Sequence, residues 1–105
     1  MIVKFHKNVE NYLLDLIETL HEKEYFSFKE SATNYVRELV YEIRDSINRK
    51  HKKPAPKYFS KYGRNLQYVI YKKNRNTQWY VFFNCEGDIF YIYYIANNHT
   101  ISQYM

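Results

Sequence analysis

Apolar positions recur along this chain at two spacings, and each spacing predicts a kind of element. Ile2, Val3 and Phe5 predict a short opening strand that ends near Lys7 and Asn8. From there Val9, Tyr12, Leu13, Leu16, Ile17 and Leu20 recur at three- and four-residue steps, the single stripe of an amphipathic helix, with Asn8 placed to cap it. The segment HEKEYFS interrupts the stripe. Ser27 and Glu30 then have the Ser-x-x-Glu form of a capping box, and a second stripe follows: Phe28, Ala32, Tyr35, Val36, Leu39, Val40, Ile43 and Ile47. So short a joint predicts an antiparallel helix pair. Arg49 to Lys53 close the second helix, and Pro54 stops it because the residue before a proline is pushed out of helical geometry.

The segment PAPKYFSKYGRN carries too many breakers to predict a helix or a strand. Beyond it the spacing changes to two. Leu66 to Lys73 predicts a strand, Asn74-Arg75-Asn76 a turn, and the runs Thr77 to Asn84 and Asp88 to Ala96 a hairpin closed by Cys85-Glu86-Gly87. Both hairpin faces are apolar. Trp79, Val81 and Phe83 alternate with Tyr80 and Phe82, and Ile89, Tyr91, Tyr93 and Ile95 alternate with Phe90, Ile92 and Tyr94. The helix pair is expected to cover the face shared by Tyr80 or Trp79, but alternation does not say which face stays open. The tail from Asn97 to Met105 predicts a short helix or an irregular cap. The expected fold is α+β, in the order β-α-α-β-β-β, with the helix pair packed on one face of a small, mainly antiparallel sheet to which the first strand adds.

At 105 residues the chain is expected to form one domain, 1–105. It contains no internal repeat. Its longest apolar run, Ile89 to Ala96, is far short of the roughly 18 residues of a membrane span. The opening residues lack the apolar region of a signal peptide, so no membrane association and a cytoplasmic address are expected. A single cysteine, Cys85, gives neither an internal disulfide nor a metal-ligand spacing, and no metal or cofactor is expected.

Charge changes the picture more than composition does. The net charge is +5, but residues 1–48 carry six Lys/Arg against nine Asp/Glu, a balance of −3. Residues 49–75 carry ten Lys/Arg and no acid, and residues 76–105 two acids and no Lys/Arg. A cationic block of this kind attracts polyanions, nucleic acid first, with binding that weakens steeply in salt. Cations also suit a helix C-terminus, which gives Arg49 to Lys53 a structural reading as well.

The element order, the size and the polar tail resemble the RelE/ParE superfamily of toxins from bacterial toxin–antitoxin pairs. The residues that carry the resemblance are Tyr62-Gly63-Arg64-Asn65-Leu66 before the first meander strand, Gln78 to Phe83 in the second, and Ile92 to His99 at the end of the third. It implies a growth-arresting protein held inactive by a cognate antitoxin. RelE-like toxins cleave messenger RNA in the ribosomal A site, whereas ParE-like ones inhibit DNA gyrase without cleaving RNA. In the RelE-like branch a basic catalytic residue follows the last strand, and a tyrosine a few positions on stacks with a substrate base. His99 and Tyr104 match those places, and Gln103 between them has the groups to hydrogen-bond a base. Histidine suits proton transfer because its reference pKa of about 6.5 lies near operating pH.

The resemblance also brings departures. RelE-like members carry lysines along the first meander strand and an arginine early in the second. Here those places hold Gln67, Tyr68, Val69, Ile70 and Tyr71, then Gln78 and Trp79. The phosphate contacts left to this chain are Arg64, Lys72, Lys73 and Arg75 at the strand rims, and if they do not converge on His99, cleavage is expected to be weak or absent. Trp79, Tyr91, Tyr93 and Tyr94 have the surface to stack on bases, or to fill the core. His6, His21 and His51 stand on polar stretches without partners. The readings in order are thus a ribosome-dependent endoribonuclease, a ParE-like inhibitor, and a basic binding module that has lost its chemistry.

Overall fold

The computed structural model describes residues 1–23 and 25–105. Strand β1 (Ile2–Phe5) leads directly into helix α1 (Lys7–Glu22), and α2 (Lys29–Ser46) returns antiparallel to it. Then come the two-residue strand β2 (Lys53–Pro54) and the three strands β3 (Gln67–Lys72), β4 (Gln78–Glu86) and β5 (Ile89–Asn97). A single turn of helix, α3 (Asn98–Ile101), closes the chain together with a 3-10 turn over Ser102–Tyr104. The sheet order is β1-β5-β4-β3-β2. All pairings are antiparallel except β1 with β5, which sets Ile2 opposite Ile89 and Phe5 opposite Ile92. The fold is therefore α+β, two helices on a five-stranded, mostly antiparallel sheet.

Both helix stripes point inward as their spacing requires, except at Phe28, which is exposed and precedes α2 as its cap residue. Val9, Leu13 and Leu16 of α1 and Val36, Leu39 and Ile43 of α2 are buried against Val69, Tyr71, Trp79, Val81, Phe83, Phe90, Ile92 and Ile95 of the sheet. The helix pair thus takes the Trp79 face. Along β5 the strict two-residue alternation fails, because Phe82 pairs with Tyr94 while Phe83 pairs with Ile92. Tyr93 is the extra residue of a β-bulge, which shifts the phase of everything after it. Ile92 and Ile95 consequently share the helix side, and Tyr93 and Tyr94 both go to the other.

The helix starts differ from expectation. The first helical carbonyl of α1 belongs to His6, whose Nδ1 also accepts from the Asn8 backbone N–H at 3.1 Å, so His6 rather than Asn8 is the cap. In α2 the first bonds go to the Phe28 carbonyl, one position past Ser27, and no side chain caps the helix there. The Ser27/Glu30 box does not form. α2 also ends earlier, at Ser46, followed by a 3-10 turn over Ile47–Arg49. Arg49 bonds back to Asp45, through its carbonyl at 2.9 Å and its carboxylate at 3.3 Å.

The largest correction concerns PAPKYFSKYGRN. Pro54 stops no helix but sits in β2 on the sheet edge, where a proline's missing N–H costs no ladder bond. Lys57–Tyr62 forms a 3-10 helix that lays Phe59 on the sheet face away from α1 and α2. Phe59, Leu66, Tyr80, Phe82, Ala96 and Ile101 make a second buried cluster there, with Ala55, Tyr62, Tyr68, Ile70, Tyr93 and Tyr94 packed around it. The Phe59 and Phe82 rings stack at 4.3 Å, Tyr62 on Tyr94 at 3.9 Å, and Tyr58 on Tyr104 at 3.7 Å. No full sheet face is left as an open aromatic surface. Gly63 is where this cover closes on the sheet, since a Cβ there would meet Leu66 Cδ2 at 3.1 Å.

This packing predicts an alkaline limit to stability. Burial pushes the phenols of Tyr12, Tyr71 and Tyr94 above their ordinary value, and in Tyr94 the neighbouring Tyr62 adds to it. In the unfolded chain these groups ionise near pH 10. A raised folded pKa contributes stability that is complete below the unfolded value and is lost as pH rises through the folded one. The urea midpoint is therefore expected to hold up to about pH 10 and to fall above it. Absorbance of tyrosinate should rise in step with unfolding for these buried phenols. A midpoint unchanged by pH through full tyrosine ionisation would contradict this account.

Candidate functional site

The end of the sheet where β3 turns into β4 and where β5 runs out is tied together by three asparagines. Asn74 Oδ1 accepts from the backbone N–H groups of Asn76 (2.8 Å) and Thr77 (2.9 Å), which fixes the β3–β4 turn. Asn98 bridges from β5 to that turn, accepting from the Gln78 N–H at 2.9 Å and donating to the Asn76 carbonyl at 3.1 Å. Asn97 caps α3 through Oδ1, which accepts from the Thr100 N–H at 3.2 Å and its hydroxyl at 3.4 Å. His99 is carried on this frame. It is exposed, and its Nε2 lies 3.3 Å from Thr77 Oγ1, which leaves Nδ1 without a partner among the described residues.

His99 stands beside a cleft of about 510 Å³ between the first helix and this sheet end. Tyr12, Leu16, Tyr35 and Trp79 form its apolar wall, and Asn74, Thr77, Asn97 and Thr100 contribute polar groups around His99. The wall is rigid. Trp79 Nε1 donates to the Tyr35 hydroxyl at 3.0 Å, and Tyr12 meets the indole edge-on at 6.4 Å. Burial, and secondarily the nearby Tyr35, raises the Tyr12 pKa, so this phenol stays neutral in the cleft. An aromatic wall beside a hydrogen-bonding rim suits a planar, heteroatom-bearing ligand, and the volume is ample for one nucleotide.

Of the cations expected at the site, Lys72 and Arg75 are exposed at this same end, on the last residue of β3 and in the turn after it. Lys73 is there too but committed. Its ammonium lies 3.2 Å from Glu42 Oε2 of α2 and over the Tyr35 ring, with only 16% of the side chain exposed. Arg64 is at the other end of β3, beside Asn84, Cys85 and Glu86, a six-residue strand or roughly 17–20 Å away. Tyr104 is not with His99 either. It lies flat on Tyr58 of the 3-10 helix, and Lys61 sits 4.0 Å over the Tyr58 ring. Gln103 is exposed and its side chain makes no hydrogen bond among the described residues. His99, Lys72, Lys73 and Arg75 thus share one end of the sheet, but none of these three cations is among the described residues that line the His99 cleft, and Arg64 and Tyr104 lie elsewhere. Trp79 is core, and Tyr94 is half-buried under Tyr62.

Sequence reasoning missed Thr77, Asn74, Asn97 and Asn98, whose signal was the density of asparagine at two strand ends. It also read Tyr12 and Tyr35 only as helix stripe. Among the described residues no three His, Cys, Asp or Glu side chains gather as a metal-ligand set, and no helix is long and apolar enough to cross a membrane. No family model matches the chain, nor does any curated protein or solved structure. The chain is a small α+β protein with a helix pair on a mixed five-stranded sheet.

Proposed function

We propose that this protein is the toxin of a bacterial toxin–antitoxin pair and that it cleaves messenger RNA on the ribosome, with His99 as the proton-transfer group. The observation that carries the reading is the seating of His99. It is held by Thr77 at a cleft of nucleotide size, with one ring nitrogen engaged and the other without a partner among the described residues. Cleavage by the ribose 2′-hydroxyl requires that its proton be accepted, that charge on the phosphate be stabilised, and that the leaving 5′-oxygen be protonated. His99 supplies a proton-transfer step, and Lys72 and Arg75, at the same end of the sheet but outside the cleft lining, contribute positive charge only from a distance. The block of ten Lys/Arg over residues 49–75 attracts the ribosomal polyanion.

Because β3 presents no cation before Lys72 and Lys73 is paired with Glu42, phosphate stabilisation is weaker than a strand-borne clamp would give, and a slow nuclease follows. The same observation, with Arg64 and Tyr104 standing apart, favours a second reading, a ParE-like inhibitor of DNA gyrase that binds without chemistry. Induced expression of the isolated chain, with transcript 5′ ends mapped in the same cells, separates the two. New ends inside translated codons are expected. Growth arrest with intact transcripts and gyrase-dependent DNA damage would transfer the assignment to the inhibitor, and unimpaired growth would leave a basic binding module.

A further inference from the structure

Two of the polar groups that face the His99 cleft have an orientation that the backbone decides. The partners of Asn74 and Asn97 in the turn and at α3 are backbone N–H groups, and only the amide oxygen can accept from them. Each Nδ2 is therefore left as a pair of N–H donors with no partner among the described residues. Lys23 at the cleft is a donor as well, and no carboxylate is among the described residues that line it. The polar rim is thus rich in donors, set against an aromatic wall of Tyr12, Tyr35 and Trp79.

From this we infer that the cleft selects a keto nucleobase, guanine or uracil, over the amino bases adenine and cytosine. The inference rests on the nuclease reading above and names the substrate of that same site. Guanine and uracil present a carbonyl oxygen at the ring position where adenine and cytosine carry an NH2 group. Against Asn74 and Asn97 the carbonyl accepts a hydrogen bond, whereas the amine sets donor against donor and leaves both unsatisfied. In a half-open cleft where water still reaches the rim, the discrimination is expected to be about three- to tenfold. The enclosed sites that reject a mismatched group far more strongly keep water out.

The test uses the intact protein with purified ribosomes stalled on four messages that differ only in one A-site base. Cleavage beside guanine and uracil should be about three- to tenfold faster than beside adenine and cytosine. Asn97→Asp keeps the capping oxygen and removes the amide donors, and Asn74→Asp does the same in the turn. Each variant also puts an acceptor where a donor stood, so each should lower the keto-to-amino ratio to one or below, whatever its effect on overall rate. Equal cutting of all four messages by the unaltered protein, or a ratio that both variants leave intact, overturns the base selection and leaves the nuclease standing. Failure to cut any message removes the nuclease reading itself.

Discussion

Replacing His99 by alanine is expected to abolish growth arrest and to slow message cleavage by about 10²–10⁴-fold, the usual contribution of a positioned acid–base group. The protein should remain as stable as before. His99 is exposed, and its one side-chain hydrogen bond among the described residues is the 3.3 Å approach to the Thr77 hydroxyl, whereas the frame that carries it is made by Asn74, Asn97 and Asn98. Removing the ring therefore takes away chemistry without opening a cavity. Thr77→Val gives the complementary case. It leaves the imidazole in place but frees its orientation, so a smaller loss is expected, in turnover rather than in ribosome binding. Rates are to be measured on ribosome-bound message with unfolding curves alongside. Undiminished arrest and cleavage by a stably folded His99→Ala protein would remove His99 from the mechanism.

How far the site was legible follows from what each residue depends on. The helix stripes were readable because a 3.6-residue period is a local property, and Val9, Leu13, Leu16, Val36, Leu39 and Ile43 are all buried as the spacing requires. The three long strands were readable for the same reason. Alternation then failed at Tyr93, because a bulge is a decision between two strands and leaves no mark in the period of one. His6 became a cap because β1 ends where α1 begins, its N–H bonding to the Ile92 carbonyl at 2.9 Å while its own carbonyl starts the helix. The His99 position at the end of the last strand was legible, but its contact is with Thr77, 22 residues earlier. Arg64 and Lys72 lie close in sequence and look alike as rim cations. An extended strand nonetheless carries them to opposite ends of the sheet, which is why grouping them by sequence misplaces Arg64.

Phe59→Ala is expected to destabilise the protein by about 3–5 kcal/mol, the usual range for truncating a buried phenylalanine. A segment read as an irregular link would tolerate that substitution, and the structure says otherwise. Phe59 has no exposed surface and stacks on Phe82 at 4.3 Å, with the rings of Tyr62 and Tyr94 within 6.5 Å. The 3-10 helix that holds it is anchored by the Phe59 N–H to the Pro56 carbonyl at 3.0 Å and the Gly63 N–H to the Ser60 carbonyl at 3.3 Å. Such a segment has little way to collapse into the vacated space, because its backbone is tied at Pro56 and packed close at Gly63. The loss should also loosen the tail, since Ile101 is buried in the same cluster, while the helix side of the sheet keeps its packing. Tyr58→Ala next to it serves as the control. That ring is 39% exposed, and its removal should cost far less while uncovering Tyr104. Urea unfolding of the two variants decides the matter. A Phe59→Ala protein within about 1 kcal/mol of the parent would mean that the second cluster is a surface covering and not a core.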